Sequence, residues 1–241
     1  MTVTYPPALI DRAEGAGSVL LLCDHATNHV PAEYESLGLD DAALADHIAW
    51  DPGALGVARE MSALMDAPLA AAVLSRLVID MNRPEGAKGS ILEVSDGRRI
   101  PGNEGLDAAA RRARFERWQA PYHAAISDLL DRLAGRISAV VAVHSFTPVY
   151  GGKPRPWDIG VLHDGDTRLA GPMIDALAAE PGLVVGENEP YSPADDVYYS
   201  LERHAVSRGL GHVMLEIRND RIATVEQQRD WAARLAAAIR L

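Results

Sequence analysis

The sequence predicts an α/β fold in three layers, a mostly parallel mixed sheet with helices on both faces. Two observations carry this. Apolar runs of strand length alternate with helical stretches along the chain, the order that builds a parallel sheet from crossover units. The run Ala139–Val143 holds only small or β-branched apolar residues before it stops at His144, as a strand buried on both faces does. A third observation says where a site belongs. Four apolar runs close on groups that bind metals, anions or protons: Val19–Cys23 on Asp24 and His25, Leu77–Ile79 on Asp80, Asn82 and Arg83, the central run on His144, and Val213–Leu215 on Glu216 and Arg218. Ligands in open α/β sheets sit at the carboxyl ends of the strands. The expectation is a catalytic site where these four ends converge.

Taken in order, residues 1–17 read as a lead-in punctuated by Pro6, Pro7, Gly15 and Gly17. A strand follows over Ser18–Cys23, then a polar loop to Pro31. Asp40 or Asp41 can cap a helix reaching His47. Trp50–Gly53 is a turn, and the helical pattern resumes over Ala54–Met65. Strands are expected over Ala70–Leu74 and Leu77–Asp80. From Pro84 to Asn103 the pattern disappears among glycines and prolines, which marks a long loop covering the site. A charged helix runs from Asp107 to Leu133, broken or kinked at Pro121 and ended by Gly135. After the central strand come a loop over Thr147–Pro156, a strand at Asp158–His163, a helix at Thr167–Glu180 and a short strand at Gly182–Gly186. A loop to Val197, a helix at Tyr198–Ser207, the strand to Arg218 and a last helix from Thr224 complete the chain. Thr224 and Gln227 have capping-box spacing.

The bulk numbers narrow the function. The 241 residues, 48% of them hydrophobic, fit one domain spanning 1–241. A formal charge of −11 repels phosphate backbones, which argues against nucleic acid as a partner. No apolar run approaches the roughly 20 residues of a membrane span. The start, Met1–Pro7, has neither a basic segment nor an apolar signal core. A soluble cytoplasmic protein is expected, its oligomeric state open. The single cysteine, Cys23, excludes an internal disulfide and reads as a small apolar strand residue.

Two histidines and a carboxylate are a ligand set that catalytic zinc often uses, with one position kept for water. His25 and His144, each just past a buried run, are the candidate nitrogen ligands. For the carboxylate, Asp51 is preferred, with His47, one helical turn before it, as the alternative; Asp24 is expected on the opposite side of its strand from His25. Asn82 and Arg83 are read as substrate-binding, because arginine offers a fork of donors matched to a carboxylate. Arg76 reads first as structural. Glu216, inside an apolar strand, is costly to bury unless paired and suits a general base. It can also pair with Arg218 on the same strand face. Tyr191, Tyr198 and Tyr199 are further candidates for stabilising an oxyanion. His29, His123, His163, His204 and His212 read as surface or packing residues.

These residues fall into a known order. Val143–Phe146, Ile79–Arg83 and Leu215–Asp220 are similar to segments of the zinc carboxypeptidase and aspartoacylase fold. The closer likeness is to the N-formylglutamate amidohydrolase family. It rests on Cys23–Asn28, His47–Gly53, Ser75–Pro84, Ser95–Gly97, Ile100–Asn103 and Glu216–Asp220, and covers about residues 18–222. The resemblance implies a zinc-carboxypeptidase-like sheet and one divalent metal per chain, Zn2+ first. It implies a histidine ligand at a strand end, an Asn-Arg pair holding a substrate carboxylate, and a strand glutamate as general base. It also implies hydrolysis of an N-acyl amino acid, N-formyl-L-glutamate being the named case. One departure is visible: carboxypeptidase-like sites carry a glutamate three positions after the first histidine, and Asn28 stands there. The second ligand is then expected from Asp51.

The expectation is a metal-dependent amidohydrolase with His25, Asp51 and His144 on the metal, Glu216 as base, Asn82, Arg83 and Arg218 on the substrate, and a small carboxylate-bearing molecule as partner. The alternatives are another zinc deacylase or carboxypeptidase on the same framework, or a carboxylate-binding protein without turnover.

Overall fold

The computed structural model describes residues 5–239, so the Met1–Thr4 part of the start lies outside the described residues. In chain order the elements are β1 (Leu9–Asp11), β2 (Val19–Cys23), α1 (Asp41–Ala45), α2 (Ala54–Met65), β3 (Leu69–Ala71), β4 (Val94–Ser95), β5 (Arg98–Arg99), α3 (Ala108–Arg114), α4 (Ala120–Arg132), β6 (Ala139–Phe146), β7 (Val149–Tyr150), β8 (Lys153–Pro154), β9 (Ile159–Leu162), α5 (Thr167–Ala178), β10 (Val185–Glu187), α6 (Tyr199–His204), β11 (Gly211–Arg218) and α7 (Val225–Ala238).

Seven strands form one mixed sheet in the order β1-β3-β2-β6-β11-β9-β10. Strands β3, β2, β6 and β11 are parallel, while β1 and the β9–β10 pair run against them. The expected mostly parallel α/β sheet is therefore present. Strand alternation divides its side chains into two cores. Leu20, Leu22, Val140, Ala142 and Met214 pack with Tyr122, Ile126 and Leu129 of α4 and Leu201 of α6. Leu21, Val141, Val143, Leu215 and Ile217 pack on the other face with α2, α5 and α7. Each fully buried Val, Leu, Ile or Met among these contributes on the order of 1.5–3 kcal/mol. Among the described residues no helix is long and apolar enough to cross a membrane.

Several expectations need correction. The lead-in contains edge strand β1, and the strand expected at 70–74 is the three-residue β3. Leu77–Asp80 is not a strand. Its backbone is held by side chains instead of a neighbouring strand: the Leu77, Val78 and Asp80 carbonyls accept from Asn103 at 2.8 Å, Arg114 at 2.9 Å and Gln119 at 2.6 Å. Buried apolar side chains on such a stretch mimic a strand in sequence. The 107–133 helix is split as expected, by a π-type turn at Phe115–Gln119 that ends just before Pro121 in the first turn of α4. That turn aims Gln119 at the carbonyls of Asp80 and Arg83. Both long loops carry a small hairpin, β4–β5 and β7–β8. Asp40 caps α1 and the Thr224–Gln227 capping box is formed.

Candidate active site

The carboxyl ends of β2, β6 and β11 lie side by side, and the 77–83 turn closes the fourth side. Parallel pairing sets Glu216 directly across from His144. Both follow the even-numbered positions that face α4 and α6, so both point to one side of the sheet. His25 comes from the residue pair after β2. Asp51 comes from the turn before α2: its N–H donates to the His25 carbonyl at 3.0 Å, and its own carbonyl accepts from Ala54. Gly53 makes this turn feasible. Its φ is +84°, and a Cβ there would lie 2.4 Å from the Ile222 carbonyl oxygen.

The outcome is a buried triangle. His144 Nδ1 is 2.8 Å and His25 Nδ1 3.3 Å from one Asp51 carboxylate oxygen, and the two Nδ1 atoms are 3.2 Å apart. A tetrahedral ion with ligands at about 2.0–2.1 Å needs its ligand atoms about 3.3 Å from one another, so the donor set and spacing fit a divalent metal. A carboxylate stands outside each imidazole, as beside metal-ligating histidines generally, hydrogen-bonded to His25 and in looser contact with His144. His25 Nε2 is 2.7 Å from Asp80 and His144 Nε2 is 3.4 Å from Asp24. Asp24 accepts from the hydroxyls of Tyr122 at 2.7 Å and Ser200 at 2.9 Å. Asp80 accepts from the Asn82 N–H at 2.8 Å and from Arg76 at 2.7 Å. Arg76 also lies 3.6 Å from Asp51.

Charge follows from these neighbours. Burial opposes a proton on His144, but Asp24 and Asp51 outweigh it and raise the imidazole to about 10. His25 is raised too, with burial and Arg76 opposing and Asp80 and Asp51 prevailing. Asp51 is held below the usual carboxylate range: burial opposes ionisation and the two histidines win. Glu216 goes the other way. Burial pushes it up to about 7, Asp51 adds to this, and the histidines only moderate it. Its Oε2 is buried with no hydrogen-bond partner among the described residues.

A cavity of about 200 Å³ opens onto this cluster, lined by His25, Asp51, His144 and Glu216 at one end and by His47, Arg76, Asn82, Arg83, Tyr150 and Tyr191 around the walls. His47 stays outside the triangle, with Nδ1 2.6 Å from Asp46 and Nε2 3.4 Å from Asp96. The Asn82 amide is spent internally, donating to the Val197 carbonyl and accepting from the Ser200 N–H. Arg83 donates to the carbonyls of Asn82 and Asp196 and has no carboxylate within 4.0 Å among the described residues. Arg218 is not brought to the cavity. Antiparallel β9 starts beside the end of β11, and its neighbour Asp158 lies 3.3 Å from Arg218, which also holds Asp220 at 2.8 Å and the carbonyls of residues 155–157. The expected Glu216–Arg218 pair is absent for the same reason.

The sequence marks Asp24 and Asp80 as groups at the ends of apolar runs without assigning them a role at the histidines, gives no sign of Tyr122 or Ser200, and reads Arg76 first as structural. The parity of Asp24 was the available signal. It continues Leu20 and Leu22 onto the face of α4 and α6, the face that His144 also takes.

The profile of the N-formylglutamate amidohydrolase family matches residues 17–223. Among solved structures, the chain is similar to gene product Atu2144 from Agrobacterium tumefaciens, with 42% identity, a TM-score of 0.94, and 97% of this chain and 93% of that one covered. It shares its fold with an N-formylglutamate amidohydrolase from Ralstonia eutropha JMP134, at 20% identity and a TM-score of 0.66 over 97% of each chain. No curated protein sequence matches it.

Proposed function

The chain belongs to the N-formylglutamate amidohydrolase family, and from that premise we propose that it hydrolyses the amide bond of a small N-acyl amino acid. N-formyl-L-glutamate, split to formate and glutamate, is the first candidate. His25, Asp51 and His144 would hold one divalent metal, zinc first. Such a metal supplies Lewis acidity, making a water more acidic and polarising the amide carbonyl.

The chain's own groups account for the rest. Glu216, with a raised pKa, an unpartnered oxygen and a place on the same cavity as the cluster, suits a base that takes the proton of the attacking water. It returns that proton to the nitrogen as the C–N bond breaks. Arg76 and the Tyr191 hydroxyl, both on the cavity wall, can steady the developing oxyanion. Arg83 supplies a cation without a carboxylate partner for the substrate's own carboxylate, which fixes the scissile bond against Glu216. Arg218 has no part in this reading; its donors hold the 155–157 backbone.

The observation that carries the proposal is the register of Glu216 against His144 beside three ligand atoms that all lie within 4.8 Å of one another. The test is elemental analysis of gently purified protein, then formate release from N-formyl-L-glutamate and a panel of N-acyl amino acids and peptides. About one metal per chain and formate release that falls on the order of 10²–10⁴-fold in Glu216→Gln, with metal retained, are expected. Absence of metal after soaking with zinc, or full activity in Glu216→Gln, would overturn the mechanism.

A further inference from the structure

Arg155 follows the β7–β8 hairpin. Its guanidinium lies 4.7 Å from the ring centres of both Tyr150 and Tyr191 and 5.7 Å from that of Phe146. Tyr150 and Tyr191 both line the cavity. Arg155 Nη1 donates to the Tyr191 hydroxyl at 3.0 Å. No carboxylate lies within 4.0 Å of it among the described residues, although the chain carries 34 acidic against 23 basic side chains. Its backbone is fixed on both sides: the N–H donates to the Pro148 carbonyl at 2.8 Å, and the carbonyl accepts from Arg218.

The chemistry of the pair is one-directional. A guanidinium only donates, so the Tyr191 oxygen accepts and its own hydrogen is left over. No other protein partner takes that hydrogen among the described residues. The cation over its face holds the ring in place, and the hydrogen bond accepted on one side of the oxygen turns the hydroxyl hydrogen to the other. We propose that Arg155 is a positioning residue that fixes Tyr191 so that its O–H donates into the cavity. This rests on the hydrolase reading for its functional consequence, but not for the contact itself. The neighbourhood of Tyr191 agrees. Burial and Glu216 make the phenol harder to ionise, while Arg155 works against both through its charge and its hydrogen bond. Lysine would keep a charge and a donor but not the planar fork that fits between two rings.

Two measurements test this. In protein carrying ring-13C tyrosine, with Tyr191 assigned through Tyr191→Phe, Arg155→Gln should move the Tyr191 ionisation midpoint upward. Arg155→Lys should give an intermediate midpoint and serves if the glutamine variant does not fold. An unmoved midpoint overturns the proposal. For turnover of N-formyl-L-glutamate, Arg155→Gln should lower kcat on the order of tenfold, the worth of one hydrogen bond to a charged group. The double variant with Tyr191→Phe should be no slower than Tyr191→Phe alone. Losses that multiply would show that Arg155 does not act through Tyr191. If the wild type turns over nothing on the panel, the hydrolase reading falls, and the titration alone decides whether Arg155 sets the hydroxyl.

Discussion

The protein contains two buried pairs of facing histidines, and they are opposites. His25 and His144 meet edge to face, ring centres 4.8 Å apart, with nitrogens at 3.2 Å. His123 of α4 and His204 of α6 stack at 5.1 Å with nitrogens at 2.8 Å. All four side chains are buried. Burial disfavours the charged imidazole in every case, yet the first pair is raised and the second lowered, His123 to about 4 and His204 to about 3. The difference is the second neighbour. Asp24, Asp51 and Asp80 surround the first pair. His123 Nε2–H donates to the neutral Met81 carbonyl at 2.9 Å, and its Nδ1 accepts from His204. Carboxylates, not burial or ring contact, decide which pair is receptive to a cation.

Replacing one member of each pair gives the largest contrast. His144→Ala should abolish stoichiometric metal and cost on the order of 10³-fold or more in turnover, since a Lewis acid contributes several kcal/mol. His204→Leu should leave metal content and kcat near wild type and cost about 1–3 kcal/mol of stability, because it strands the Nδ1 acceptor of His123. Metal analysis and denaturant titration on both variants check this. Loss of metal in His204→Leu would erase the distinction.

The two pairs should also bend stability in opposite directions with pH, by up to a few kcal/mol in each direction. His123 and His204 have native pKa values below the roughly 6.5 of an unfolded histidine. As pH falls from about 6.5 toward 4 the unfolded chain takes up protons that the native state refuses, so stability drops. In metal-free protein His144 has a native value near 10. Its contribution is complete below about 6.5 and is lost as pH rises toward 10. Melting temperatures from pH 4 to 10, with chelator and with saturating zinc, should show an acidic limb in both and an alkaline limb that zinc flattens. An alkaline limb indifferent to zinc would separate His144 from the metal site.

Sequence reaches the first pair and Asp51 beside it, but not the roles of Asp24 and Asp80 around them. Strand β6 is legible because an unbroken run of small and β-branched apolar residues has few alternatives, and His144 and Glu216 come with their strands. His25 and Asp51 were chosen as residue types just past an element. Their convergence depends on the turn at Trp50–Gly53, which the sequence reveals, and on the β2–β6 register, which it does not. The 77–83 stretch shows the limit. Its buried Leu77, Val78 and Ile79 imitate a strand, while the groups that hold it, Asn103, Arg114 and Gln119, lie 11 to 39 positions from the residues they bind or share the clamp with. Arg218 was misread for a related reason. Same-face parity with Glu216 is a rule for strand interiors, and Arg218 is the last residue of β11, where Asp158 takes it.

The smallest expected effect probes the second neighbour directly. Asp80→Asn keeps shape and one acceptor beside His25 Nε2 but removes the charge, which makes His25 more like His123. Two consequences follow from the distances. His25 loses a carboxylate at 2.7 Å, so its ring binds a cation less strongly. Arg76 loses its 2.7 Å partner and keeps only Asp51 at 3.6 Å, so its charge competes more directly for a ligand oxygen. Both effects should weaken metal binding, and neither removes one of the three proposed ligands. Competition against a chromogenic chelator should show affinity reduced about 10–100-fold with the stoichiometry still one, and added zinc should restore most of the turnover. Unchanged affinity would mean that the outer carboxylate does not tune the site, and the contrast between the two histidine pairs would then rest on Asp51 and Asp24 alone.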